Sequence, residues 1–164
     1  MSDRLPLFLE GRFVQSASDQ SIPVTNPATQ AVLVEAPAAT VDEMERAIAS
    51  AQDAFEQWKL TPPSKRARLF MRYQQLLKDH HDELGELLAL ETGKNFEDAK
   101  GDVWRGIEVV EQMCNIPSLS IAATVDTVHT RADPHPLLQH LAVSLAHPPF
   151  TFPALLLVQH APPA

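Results

Sequence analysis

Over the first forty positions, apolar and polar residues come in short extended runs. The stretch LFLEGRFVQ, residues 7–15, reads as two short strands around Glu10-Gly11, a hairpin signal. The stretch IPVTNPATQAVLVEAPAA gives a second extended pair with Asn26-Pro27 at its turn. At Thr40 the period changes. Thr40 is a good capping residue, and Glu43, three positions on, completes a capping box. Val41, Met44, Ile48, Ala51, Phe55 and Trp58 then recur at helical spacing and predict an amphipathic helix.

The stretch TPPS ends that helix, and Ser64 is expected to cap the next. Leu69, Phe70, Tyr73, Leu76 and Leu77 form the apolar face of this second helix. Leu84, Leu87, Leu88 and Leu90 form that of a third, which is expected to stop at Gly93. From Phe96, the residues Ala99, Val103, Ile107, Val110 and Cys114 recur at three and four, so one face of a fourth helix is expected to be buried. Pro117 is expected to end it. TVDTVHTRA then alternates like a strand, and prolines with short apolar runs follow. Strands, four helices, then strands again indicate an α/β fold without a complete βαβ series.

Composition narrows the class. The 164 residues suffice for one ordinary domain with its own core, and 45% apolar content is globular. A net charge of −8 without a basic stripe argues against nucleic acid and anionic membrane as partners. A single cysteine, Cys114, excludes an internal disulfide and suits a reducing compartment. The N-terminal MSDRLPLFLEGRF lacks a signal-peptide layout, and FTFPALLLV is too short to span a bilayer, so a cytoplasmic protein is expected. Charge is unevenly spread. Residues 127–164 hold Arg131 and Asp133 as their only formal charges, yet five of the seven histidines and seven of the fourteen prolines. The chain therefore divides into residues 1–120 and 121–164.

Candidate chemistry is sparse. Arg105 lies about 200° around its helix from Val103 and from Ile107, off the core stripe. Asp102 and Glu108 stand at i−3 and i+3, so local ion pairing is one reading. The other is a guanidinium that grips a ligand carboxylate bidentately. The spacing leaves both open. Cys114 falls on the apolar stripe and reads as a packing residue, not a nucleophile. The adjacent histidines of DHHDE, residues 79–83, point to different sides of a helix and read as a solvated junction. The tail histidines at 129, 135, 140, 147 and 160 have no i,i+4 pair, and no metal site is assigned. ETGKN lacks the spacing of a phosphate loop and reads as a helix C-cap, with Lys94 near the negative end of the dipole.

Taken together, LFLEGRFVQS, VTNPATQAVLVEAPAATVDEMERAIASAQDAFEQW, LLALETGKNFEDAKGDV and PFTFP resemble the N-terminal part of an aldehyde dehydrogenase. RYQQLLKDHHDELGELLALETGK and GDVWRGIEVVEQMCNIPSL are similar to its CoA-acylating branch, which acts on methylmalonate semialdehyde. The resemblance is dense over residues 6–119 and stays in register beyond. It implies an incomplete aldehyde dehydrogenase fold. Residues 1–120 would be the strands and helices of the NAD-binding region. Residues 121–164 would be a degenerate oligomerisation strand and the first strand of the nucleotide fold, with a helix after PFTFP.

The resemblance also implies NAD as cofactor, CoA as acyl acceptor, a small semialdehyde substrate and a homo-oligomer in the full-length enzyme. Arg105 would select the substrate carboxylate, and Pro148 and Phe150 would touch the cofactor. Departures are chemically serious. Thr151 stands where the family has an asparagine that donates to the oxyanion, Ala142 and Ala146 replace glycines, and His140 replaces a proline. Alanine at a position wanting positive φ or close backbone approach would strain the first strand of the nucleotide fold. The family's nucleophilic cysteine and most of its nucleotide fold have no counterpart in these residues. The 164-residue chain is therefore expected to be a fragment without catalytic competence and with exposed apolar helix faces. A non-catalytic helical module that associates with full-length homologues is the alternative.

Overall fold

The computed structural model describes residues 4–115, 118 and 143–160. The strand expected over TVDTVHTRA, the stop at Pro117, Ala142 and the histidines at 129, 135 and 140 lie outside them. Among the described residues the strands form two separate antiparallel pairs. β1 (Leu7–Leu9) pairs with β2 (Arg12–Val14) through the turn read from Glu10-Gly11. Both turn residues have positive φ, 54° and 76°, which matches the twist of a tight hairpin and suits glycine at the second place. β3 (Ser21–Thr25) pairs with β4 (Val32–Pro37). Asn26 makes that turn, its Oδ1 accepting from the Ala28 and Thr29 amides at 2.9 and 3.2 Å.

α1 (Val41–Trp58) starts as the sequence predicts. Thr40 Oγ1 accepts from the Glu43 amide at 3.2 Å, and Glu43 Oε2 accepts from the Thr40 amide at 2.8 Å. Glu43 also ties the helix to the preceding loop, accepting from Ser16 Oγ at 2.9 Å and the Ala17 amide at 2.8 Å. These amide hydrogen bonds favour the carboxylate and lower the Glu43 pKa to about 2. The apolar stripe of α1 stays largely uncovered. Val41 is 73% exposed and Ile48 50%, while Trp58 reaches the core.

α2 (Pro63–Asp79) corrects one expectation: Ser64 does not cap it. Pro63 occupies the first helical position, where its fixed φ fits and its missing N–H is no loss, and the N-cap place falls to Pro62, which has no side-chain acceptor, so no side-chain cap forms. The face also divides. Phe70 and Leu77 are buried with Tyr73 half-buried beside them, whereas Leu69 and Leu76 face outward. α3 (His81–Thr92) follows after a one-residue break at His80 and ends at Gly93, whose φ of 72° is the left-handed cap the sequence predicts. α4 (Phe96–Met113) is capped by Asn95, which accepts from the Asp98 amide at 2.9 Å. Its residues Ala99, Val103, Ile107 and Val110 join Phe70, Leu77 and Leu88 in the core.

α5 (Pro153–His160) is the helix implied after PFTFP. It lies against α4, which also contacts α2 and α3. Gly106 makes the approach possible, because a Cβ there would meet Val158 Cβ at 3.1 Å. Residues 143–149 join neither strand pair. Ala146 does not show the positive φ feared for it: among the described non-glycine residues, only Glu10 and Gln30 do.

Two helix glycines should respond oppositely to substitution. Gly101 has no atom near a virtual Cβ, so Gly101→Ala should stabilise by about 0.5–1 kcal/mol through helix propensity. Gly106→Leu should destabilise by about 1–3 kcal/mol through overpacking on α5. Thermal denaturation of the two variants checks both signs. Glu43→Gln tests the loop tie. Because the folded pKa lies below the ordinary glutamate value of ~4.3, the carboxylate stabilises fully above that pH and loses the effect as pH falls through about 2. Wild type should therefore exceed Glu43→Gln in stability at pH 7, and urea unfolding curves should converge as pH falls below about 4.

Candidate functional site

Arg105 is exposed on α4. Both partners offered by helical spacing are taken. Asp102, only 1% exposed, accepts from Lys94 Nζ at 2.9 Å through Oδ2 and from the Leu155 amide at 3.1 Å through Oδ1. Glu108 accepts from Trp104 Nε1 at 3.2 Å. The local ion pairs read for Arg105 are thus not formed. Its guanidinium carbon instead lies 5.9 Å from the centre of the Phe152 ring, and Lys94 Nζ lies 5.0 Å from the same centre. Such placement over a ring is attractive but modest at an exposed site.

Together these groups border a surface cavity of about 310 Å3, lined by Lys94, Glu97, Asp98, Gly101, Arg105 and Phe152. Lys94 is committed to Asp102, so Arg105 is the cation in this lining with no carboxylate within ion-pair distance among the described residues. Glu97 and Asp98 bring two carboxylates to the same lining. Thr151 and Phe150 are exposed in the turn immediately before α5, and Pro148 is half-buried. The turn is thereby joined to α4 through Phe152 and Leu155.

Cys114 does not enter the cavity lining. Its thiol donates to the Val110 carbonyl at 3.3 Å, and burial pushes its pKa up, with the Glu111 carboxylate adding to the effect. That is the setting of a packing cysteine. The DHHDE junction is likewise used structurally. His80 Nδ1 lies 2.7 Å from Glu83 Oε2, and His81 Nε2 lies 2.9 Å from the Lys100 carbonyl. Among the described residues, no group of histidine, cysteine and carboxylates converges as metal ligands. No described helix is long and apolar enough to cross a membrane.

Sequence reasoning named Asp102 and Lys94 in other roles and missed their pairing, the Asp102 bond to Leu155 and the place of Phe152. One signal was available: Asp102 interrupts the spacing Ala99, Val103, Gly106, Val110 with a charge on a face that must be buried.

A sequence profile of the aldehyde dehydrogenase family matches residues 13–164. The chain belongs to that family. The human methylmalonate-semialdehyde/malonate-semialdehyde dehydrogenase [acylating], mitochondrial, is 41% identical over 150 residues, 92% of this chain and 28% of that protein. Malonate-semialdehyde dehydrogenase 3 of Geobacillus kaustophilus is 40% identical over 91% of this chain and 31% of its own length. A crystal structure from Sinorhizobium meliloti 1021, assigned to methylmalonate-semialdehyde dehydrogenase and complexed with NAD, superposes with a TM-score of 0.89 at 34% identity. It is covered over 32% of its length by 96% of this chain. The chain thus spans about a third of these relatives, and its α/β architecture is that of the N-terminal part of the aldehyde dehydrogenase fold.

The described residues do not by themselves accommodate a dinucleotide. A pyrophosphate needs free backbone amides at a helix N-terminus or a glycine-rich turn. Here Pro148, Pro149 and Pro153 have no N–H, and the Leu155 amide at the start of α5 is already bound to Asp102. No chemical step is therefore assigned through NAD.

Lys94→Met should leave the buried Asp102 carboxylate without its counter-ion and cost about 3 kcal/mol. Lys100→Met, which removes a cation paired with the exposed Asp82, should cost far less. Chemical denaturation of the two variants separates the buried pair from the surface one.

Proposed function

We propose that this chain is the N-terminal portion of an NAD- and CoA-dependent methylmalonate- or malonate-semialdehyde dehydrogenase. The full-length enzyme so proposed converts the semialdehyde to propionyl-CoA or acetyl-CoA with release of CO2, and assembles as a homo-oligomer in the cytoplasm. In it, residues 1–120 belong to the NAD-binding region, and residues 121–164 supply the oligomerisation strand and the first strand of the nucleotide fold. The observation that carries the reading is Arg105, an exposed guanidinium whose helical neighbours Asp102 and Glu108 are bound elsewhere. Ordinary aldehydes have no use for such a group, whereas a semialdehyde brings a carboxylate that a bidentate arginine can select. Pro148 and Phe150 offer one apolar wall toward the cofactor.

The 164 residues alone do not complete this chemistry. Cys114 is their only cysteine, and its raised pKa and bond to Val110 oppose thiolate attack. Thr151 presents a short hydroxyl on a β-branched stem where the family's oxyanion donor is an asparagine, which shortens its reach. A second reading is favoured by the uncovered stripe of α1, where Val41 is 73% and Ile48 50% exposed. On that reading the chain is a non-catalytic helical module bound to full-length homologues, and co-elution with such a homologue in size-exclusion chromatography supports it.

The purified chain should reduce no NAD when given malonate semialdehyde and CoA, and turnover would contradict the incompetence assigned to it. In a chimera that completes this N-terminal sequence with the remainder of a Geobacillus homologue, Arg105→Leu should reduce kcat/KM for malonate semialdehyde by about 100-fold. Activity on an uncharged aldehyde should change little. An unaltered ratio between the two substrates would remove Arg105 from the carboxylate site.

A further inference from the structure

Asp102 is a charged group at 1% exposure, and both of its oxygens are used. Oδ2 takes Lys94, eight residues earlier in the chain. Oδ1 takes the Leu155 amide, 53 residues later. Leu155 is the third residue of α5, so its N–H has no acceptor within that helix. Asp102 therefore caps α5 from the neighbouring helix and fixes where the Phe150–Pro153 turn must lie. Lys94 adds a second hold, because its ammonium sits between the Asp102 carboxylate and the Phe152 ring. Arg105 lies over that ring from the exposed side of α4.

We propose that Asp102 is a positioning residue for Arg105. It fastens the turn to α4, so that Phe152 holds the guanidinium in one orientation before a carboxylate arrives. The proposal rests on the reading of Arg105 as the substrate-carboxylate anchor. An exposed arginine samples many rotamers, and ordering it in advance removes a cost that the ligand would otherwise meet. A ring can order a cation only if the ring itself is fixed, and Phe152 lies in a turn with no strand beside it among the described residues. An apolar residue at position 102 could fill space against α5. What it could not do is accept from Leu155 and Lys94 at once and so set the direction of the turn.

The test uses the 164-residue chain labelled with 15N and reads two resonances that need no substrate. Phe152→Leu gives the Arg105 Nε–Hε shift without the ring. Asp102→Val should move that resonance toward the Phe152→Leu value and speed exchange of the Leu155 amide by about tenfold or more. Asp102→Asn keeps an acceptor for Leu155 but turns an NH2 toward the Lys94 ammonium, so the Leu155 amide should stay near wild type while the Arg105 resonance moves part of the way toward the Phe152→Leu value. A folded Asp102→Val chain with unchanged Arg105 and Leu155 signals overturns the proposal. Should Asp102→Val fail to fold, the wild type decides. Slow Leu155 exchange with an Arg105 resonance that responds to Phe152→Leu supports the clamp, and the lack of either overturns it. Because neither signal involves a substrate, failure of the clamp is distinct from failure of Arg105 to discriminate aldehydes.

Discussion

The described structure turns on one buried carboxylate. Asp102 joins the segment before α4, through Lys94, to the start of α5, through the Leu155 amide. A carboxylate taken out of water is costly unless its oxygens are matched, and here both are. The apolar core alone would let α5 slide along α4, since dispersion and hydrophobic contact have little directional preference. Gly106 permits the close approach, but permission is not registration. The two hydrogen bonds of Asp102 supply the registration.

From that pairing follows the state of Arg105. A surface arginine with acidic neighbours at i−3 and i+3 normally pairs with them weakly. Burial of Asp102 withdraws one neighbour, and Trp104 takes the other by donating to Glu108. Both acids at helical spacing from Arg105 are thus held by other partners, and the guanidinium is left beside the cavity without an ion pair among the described residues. The anion role proposed for Arg105 and the cap on α5 are two results of the same placement of one aspartate.

Local signals were legible where the chemistry is local. The Glu10-Gly11 and Asn26-Pro27 turns, the Thr40–Glu43 box, the Gly93 stop and the Ala99–Val110 stripe all follow from residues within one turn of each other. Ser64 misled because the helix starts at Pro63, which puts Ser64 inside the first turn and leaves the N-cap place to Pro62, a residue with no side-chain acceptor. The stripe of α2 misled in part because Leu69 and Leu76 sit one residue before Phe70 and Leu77, about 100° off the buried direction. The candidate site was half legible. Arg105 stood out by its run, but Asp102 entered only as one of two ion-pair partners at helical spacing, because nothing near position 102 announces an amide 53 residues later.

α1 separates two ways of making a helix. Its ends are well specified: Glu43 closes the capping box and reaches back to Ser16 and Ala17. Its apolar face has little to lie against among the described residues, and Val41, Met44 and Ile48 are exposed. A capped helix of eighteen residues is long enough to form on local terms, yet most helices owe their stability to a covered face. α4 is the opposite case, covered on two sides by α2, α3 and α5. Opening should therefore begin at α1 and the strand pairs, and reach α4 last. The same ordering keeps the Arg105 region on the most firmly held helix, while the exposed apolar stripe stays on an element free to meet another surface.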